Sequence, residues 1–143
     1  MEYYALHSED KTAAYDGIPE LLSSAREKGM KLGVITNKAH NIAQQVVPHF
    51  LGDGVFDYIR GLDDRIKAKP CPDGALDVAE KLGVQPSEVL YIGDSGVDMQ
   101  TAVNAGFTPC GVLWGFRTEK ELCDNGAKYI AHKPSDILDI TEK

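Results

Sequence analysis

The sequence predicts an α/β fold: a doubly wound, Rossmann-like parallel sheet with helices on both faces. Short, wholly apolar runs alternate with segments whose apolar residues recur at helical spacing, which is typical of βαβ units. The clearest apolar run, Val89 to Ile92, has the character of a strand buried on both faces. The length of 143 residues corresponds to about one domain.

The elements follow one another regularly along the chain. The first half predicts a helix over 18–25, a strand over 32–35, a helix over 39–50, a strand over 55–59 and a helix over 75–82. The second half predicts a strand over 89–92, a helix over 97–105, a strand over 107–114, a helix over 119–125, a strand over 128–131 and a helix over 134–140. Gly83 and Gly106 mark two of the helix ends. Residues 1–14 are polar and helix-prone, so we expect a leading helix there and the α/β core over 15–143.

Composition excludes several classes of protein. Fifteen Lys and Arg against 22 Asp and Glu give a net charge of -7, which disfavours binding to nucleic acid. No apolar window is long enough to span a membrane, and the first residues lack the pattern of a signal peptide. Three cysteines without C-x-x-C spacing suggest reduced thiols, and we therefore expect a cytoplasmic protein.

Two candidate sites lie where predicted strands end, which is where open parallel sheets bind ligands. The first is Thr36 and Asn37, after the strand over 32–35. A hydroxyl, an amide and free backbone N–H groups at a helix start can bind an anion. Alternatively, Thr36 or Asn37 only caps the helix.

The second candidate site follows the strand over 89–92. Asp94 and Asp98 are four residues apart, with Ser95 between them and Gly93 before them. Two carboxylates and a hydroxyl suit a hard cation such as Mg²⁺. The alternative is again a helix start, with Asp94 or Ser95 as the N-cap and Asp98 complementing the helix dipole.

A basic loop lies between these two sites. It contains Arg65, Lys67 and Lys69, followed by Pro70 and Pro72. Lys69 could be held beside the prolines to bind an anion, although such a loop is more often simply solvated.

Together these segments resemble the haloacid dehalogenase-like hydrolases, and in particular their phosphoglycolate phosphatase-like members. The similarity runs in order through roughly residues 15–140. Its segments are 15–22, where the chain of that family re-enters the core after the cap domain, then 34–38, 69–72 and 93–98, the second, third and fourth motifs, and 111–117.

This resemblance implies a Mg²⁺-dependent phosphomonoester hydrolase acting on a small phosphorylated metabolite through an aspartyl phosphate. Thr36, Asn37 and Lys69 would bind the phosphoryl oxygens, and Lys69 would offset charge in the transition state. Asp94 would bind Mg²⁺ directly and Asp98 directly or through water, with Gly93 and Ser95 supporting the loop. Thr36, Lys69 and Asp94 would thus be the catalytic residues of this chain.

One motif of the family is missing. Its first strand ends in Asp-x-Asp-Gly-Thr and carries the nucleophile, and none of the thirteen Asp residues here is followed two places later by another. We therefore expect this chain alone to be inactive: a fragment, a truncated product or a degraded member. The alternatives are a non-catalytic module that binds phosphate and Mg²⁺, and, far less favoured, a receiver-like domain phosphorylated on Asp94.

The missing strand would be central, between the strands over 32–35 and 89–92. We expect these two strands to close up and pair directly, leaving apolar surface that drives weak self-association. Alternatively, a second copy of the chain fills the gap, or residues 1–14 fold back into it.

Overall fold

A parallel sheet forms the centre of the protein, which is described by a computed structural model over residues 3–7, 18–51, 56–113 and 118–141. The strands are β1 (Tyr3–His7), β2 (Lys31–Ala39), β3 (Tyr58–Leu62), β4 (Val89–Gly93), β5 (Thr108–Val112) and β6 (Tyr129–Ala131). The helices are α1 (Ile18–Glu27), α2 (His40–Leu51), α3 (Asp73–Leu82), α4 (Gly96–Ala105), α5 (Glu119–Asp124) and α6 (Pro134–Thr141). The strand order is β3-β2-β1-β4-β5-β6.

The first strand, β1, occupies the centre of the sheet. Tyr3 lies opposite Lys31 of β2 and Val89 of β4, and every strand pair in the sheet is parallel. The expected direct pairing of β2 with β4 is therefore wrong, and the sheet has no gap. Residues 3–7, from the segment 1–14, lie between β2 and β4. They pair with the N–H and C=O groups that these two strands would otherwise leave without partners.

This placement corrects two further expectations. Residues 3–7 form a strand and not part of a leading helix, so this segment belongs to the core sheet; residues 8–14 lie outside the described part of the chain. Neither β2 nor β4 is an edge, because each pairs with β1. The physical reason for self-association through these strands is thereby removed.

Helices cover both faces of the sheet, as a doubly wound fold requires. On one face, Leu32 and Leu90 pack with residues of α1 and α6. On the other, Ile35 and Tyr91 pack with residues of α3 and α4. Alternating side chains of one strand thus enter opposite cores, which is why the buried strands are apolar throughout.

Glycines end α3 and α4 where the sequence predicts. Gly83 and Gly106 have φ of +72° and +80° and donate their N–H groups to the last carbonyls of each helix. That left-handed conformation is unfavourable for residues with a Cβ.

Other boundaries differ from the prediction. β2 continues to Ala39 and α2 begins only at His40, so Thr36 and Asn37 do not cap that helix. The next strand is Tyr58–Leu62, a few residues later than predicted. Position 55, like 114–117, lies outside the described residues. Of the helices described here, none has the length and apolar character needed to cross a bilayer.

Candidate active site

The predicted anion-binding residues line one pocket at the carboxyl edge of the sheet. Thr36 and Asn37 reach it from the end of β2, and Lys69 reaches it from the loop between β3 and α3. Ile35, Leu62 and Ile66 provide an apolar part of the wall. The structure therefore brings Lys69 to the adjacent pair Thr36 and Asn37, more than thirty residues away in sequence.

Two hydrogen bonds hold the loop that carries Lys69 in place. The N–H of Lys69 donates to Oδ1 of Asn37 over 3.0 Å. The side-chain amide of Asn104 on α4 donates to the carbonyl of Pro70 over 3.0 Å. The loop carrying Lys69 is thus tied to both neighbouring elements.

The ammonium group of Lys69 forms a buried ion pair with Asp98. Its Nζ lies 2.8 Å from Oδ1 of Asp98, and the two side chains are only 4% and 0% exposed. Removing two charges from water is unfavourable unless they are paired and hydrogen-bonded. This pair links the loop before α3 to the first turn of α4.

Asp98 is hydrogen-bonded through both carboxylate oxygens. The hydroxyl of Tyr91 also donates to Oδ1 over 3.3 Å. The hydroxyl of Ser95 and the N–H of Asp94 donate to Oδ2 over 3.0 and 3.3 Å. At least four donors therefore surround this carboxylate, which is the satisfaction that a buried charge requires.

The close packing of this turn explains why residue 93 is a glycine. A Cβ on Gly93 would overlap the side chain of Asp98. Burial, with a contribution from the facing Asp98 carboxylate, raises the pKa of Tyr91 well above its ordinary value, so its hydroxyl remains a donor. A small residue at the end of β4 thus lets the Asp98 carboxylate fold back under the turn.

Side chains accept hydrogen bonds from backbone N–H groups at the start of α4. Ser95 is the N-cap, and its Oγ accepts from the N–H of Asp98. Oε2 of Glu121, on α5, accepts from the N–H of Gly96 over 2.9 Å. The alternative interpretation of Ser95 as an N-cap is therefore correct, alongside its role in holding Asp98.

Tyr91 and Glu121 are contacts of the site that the sequence prediction missed. Tyr91 lies within the apolar run of β4, which the sequence predicts only as a buried strand. Glu121 lies in the short helix α5, far along the chain, and no spacing rule connects it to Gly96. A buried Tyr needs a partner for its hydroxyl, and this was the one available signal.

The carboxylates at this edge of the sheet have the chemistry that Mg²⁺ prefers, but they are few in number. In the described ranges, no group of three or more His, Cys, Asp or Glu side chains is arranged to hold a metal ion. Asp94 is half-buried and directly follows β4, and Asp98 is paired with Lys69. Carboxylate oxygens are the ligands Mg²⁺ prefers, so Asp94 fits such an ion as one ligand of an incomplete set.

The chain matches one protein family along most of its length. The profile of the haloacid dehalogenase-like hydrolases matches residues 1–112. A phosphoglycolate phosphatase of Aquifex aeolicus is 30% identical over 132 residues, covering 92% of this chain and 60% of the relative. An N-acetylmuramic acid 6-phosphate phosphatase of Pseudomonas aeruginosa is 30% identical over 145 residues, covering 100% of this chain and 64% of the relative.

A solved structure agrees in fold. The haloacid dehalogenase-like family hydrolase of Streptococcus pneumoniae has a TM-score of 0.81 at 26% identity, covering 88% of this chain and 59% of that protein. The chain thus spans only part of the length of these proteins. Its sheet, its ordered motifs and the profile match agree, and the protein belongs to the haloacid dehalogenase-like hydrolase family.

Proposed function

We propose that this chain carries the phosphate- and magnesium-binding half of a phosphomonoester hydrolase of the phosphoglycolate phosphatase type. The observation that carries the proposal is the buried Lys69–Asp98 pair, which joins the Thr36 pocket to the Asp94 turn. Two relatives with 30% identity are phosphatases, which supports a small phosphorylated metabolite as the ligand.

In this proposal, the pocket binds the phosphoryl group. Thr36 supplies a hydroxyl, Asn37 an amide and Lys69 a positive charge, all lining the same cavity. Charge-assisted hydrogen bonds to phosphate oxygens are among the strongest that side chains form. Asp98 holds the Lys69 ammonium at one position, so little side-chain entropy remains to be lost on binding.

Asp94 is the proposed direct ligand of Mg²⁺, and Asp98 acts through water or through Lys69. The ion, when bound, would polarise phosphoryl oxygens and offset their charge. Ser95 and Gly93 keep the turn in shape through the contacts described above. We expect weak binding, because Mg²⁺ normally takes ligands from more than one carboxylate and from substrate phosphate.

We further propose that this chain alone does not turn over substrate. The family reaction needs an aspartate nucleophile, and the central strand reads Tyr3-Tyr4-Ala5-Leu6-His7, without a carboxylate. No Asp-x-Asp occurs in the 143 residues. Binding without hydrolysis makes the chain either the partner of a nucleophile-bearing segment or a non-catalytic module.

A titration with inorganic phosphate in excess Mg²⁺ tests the binding proposal. We expect Lys69→Met to weaken phosphate binding by at least about tenfold, because a charged hydrogen bond contributes roughly 1.5–3 kcal/mol. Lys81→Met, at an exposed lysine near the end of α3, is the matched control and should bind as the parent does. Equal affinities in all three proteins would contradict the assignment.

Hydrolysis of p-nitrophenyl phosphate in excess Mg²⁺ separates the enzyme from the binding module. We expect no activity above that of an Asp94→Asn control. Sustained hydrolysis by the parent chain, lost in the Asp94→Asn variant, would show that these residues suffice for catalysis and would overturn the inactive-chain proposal.

A further inference from the structure

Helix α5 and its C-cap residue Asn125 contact α4 at two places. The carboxylate of Glu121 accepts from the N–H of Gly96, and the side-chain amide of Gln100 on α4 donates to Oδ1 of Asn125. A Cβ on Gly96 would lie 2.5 Å from Nδ2 of Asn125, so the two helices approach closely here. The contact therefore fixes both the start and the middle of α4.

The position of Glu121 is itself well defined. Its N–H donates to Oγ1 of the N-cap Thr118, and its carbonyl accepts from the side-chain amide of Asn125 over 2.8 Å. The next residue, Leu122, is fully buried. A carboxylate on such an anchored backbone can act as a fixed support and not as a mobile surface charge.

Two of the first-turn amides of α4 donate to side-chain oxygens. Ser95 Oγ takes the N–H of Asp98, and Glu121 takes that of Gly96. Gly96 is two residues after Asp94, the residue assigned to the metal, and one after Ser95, which bonds Asp98. Movement of the Gly96 peptide would therefore displace the backbone that carries Asp94.

We propose that Glu121 is a positioning residue for the Asp94 turn. Its carboxylate fixes the Gly96 peptide, and through it the direction of the Asp94 side chain, while adding negative charge on the cation side of the site. Its effect on metal affinity rests on the proposed function, whereas its hold on Gly96 does not. The partner of this turn is thus supplied from α5, outside all the motifs that the sequence displays.

Two measurements on the whole chain test this inference, and both use Glu121→Ala, Glu121→Gln and the control Glu119→Ala. Glu119 is exposed in the first turn of the same short helix. The first measurement is hydrogen exchange of the Gly96 amide without metal. The second is Mn²⁺ affinity, followed by electron paramagnetic resonance at a temperature where circular dichroism shows every variant folded.

We expect Glu121→Ala to accelerate exchange at Gly96 and to weaken Mn²⁺ binding by about 10–100-fold, the usual effect of losing an outer-shell partner. Glu121→Gln retains an acceptor oxygen and should recover most of the affinity, and Glu119→Ala should match the parent. A purely structural Glu121 would lower the melting temperature without changing Mn²⁺ affinity, and that result would overturn the proposal.

The two measurements also separate this inference from the proposed function. If Asp94→Asn binds Mn²⁺ as well as the parent does, the metal assignment is wrong and the exchange measurement alone decides the role of Glu121. Unchanged exchange at Gly96 in Glu121→Ala would then overturn the positioning role, and faster exchange would support it.

Discussion

Lys69 and Arg60 both have buried side chains, and their charges are paired very differently. Lys69 and Asp98 are both almost inaccessible to water, and Asp98 has further donors in Tyr91 and Ser95. Arg60, on the edge strand β3, pairs with Asp63 at 2.6 Å, but that carboxylate is 40% exposed.

The hydrogen bonding around Arg60 and its neighbours Asp63, Asp77 and Tyr58 is less complete. Nε of Arg60 lies 3.6 Å from Asp77 and makes no hydrogen bond within the described residues. Asp77 instead accepts from the hydroxyl of Tyr58 over 2.8 Å. This cluster fastens the edge strand to α3, whereas the Lys69 pair holds a charge in a fixed place beside a pocket. The completeness of hydrogen bonding around the charge distinguishes the two.

Breaking the Lys69–Asp98 pair should have the largest effect. Asp98→Asn leaves the Lys69 ammonium buried without its counter-charge, and we expect a loss of about 3–5 kcal/mol in the free energy of unfolding. Urea unfolding monitored by circular dichroism measures it. Asp63→Asn, which removes the exposed partner of Arg60, should cost far less, and equal losses would erase the distinction between the two pairs.

Crowding Asp98 tests the same pair without removing a charge. Gly93→Ala forces the Asp98 side chain to shift, and overpacking of this kind costs about 1–3 kcal/mol. Phosphate affinity should fall as well, because Lys69 moves with its partner. Gly74→Ala is the control: its Cβ would lie 3.3 Å from Cγ2 of Ile66 and 3.5 Å from Cγ2 of Ile35, so its loss of stability should be smaller.

The Tyr58–Asp77 contact should make the stability of the Arg60 region depend on pH in alkaline solution. Burial, assisted by Asp77, raises the pKa of Tyr58 above its ordinary value of 10.0. A raised pKa stabilises the fold below pH 10, and that contribution is lost as the pH rises from 10 through the pKa of the folded state. Tyr58→Phe should cost about 0.5–1.5 kcal/mol at neutral pH and reduce the loss of stability above pH 10. An alkaline limb unchanged by this substitution would contradict the assignment.

The smallest expected effect on stability comes from the protonation of Asp63 in acid. The N–H of Arg65, with a further contribution from Arg60, holds the pKa of Asp63 below its ordinary value of 3.8. A lowered pKa stabilises the fold above about pH 4, and that contribution is lost as the pH falls through the folded value. Asp63→Asn should therefore flatten the acid limb of the stability curve below pH 4, measured by thermal unfolding in a pH series. A limb as steep as that of the parent would show that Asp63 carries no linked proton.

The stretch from Val89 to Gly106 was the most predictable part of the molecule. Its strand, its helix and its terminal glycine all follow from local rules, and the structure confirms each of them. The alternative that Asp94 or Ser95 caps the helix is also confirmed, with Ser95 as the N-cap. The β2 end was less predictable. Its polar residues suggested a helix start, yet the strand continues to Ala39 beside β3, because pairing with a neighbouring strand outweighs local preference.

Periodicity is a local property, and it was enough to predict the doubly wound class. Thr36, Lys69 and Asp94 became candidates through their places after strands or in a basic loop, together with the ordered resemblance to the family. The packed fold was needed to show that Tyr3–His7 completes the sheet, that Asp98 is held by Lys69 and Tyr91, and that Glu121 accepts from the Gly96 peptide. Each of these depends on which groups remain unsatisfied once the elements pack together. A buried carboxylate, an open strand edge or a bare helix amide takes its partner from whatever the fold brings near, however distant in sequence.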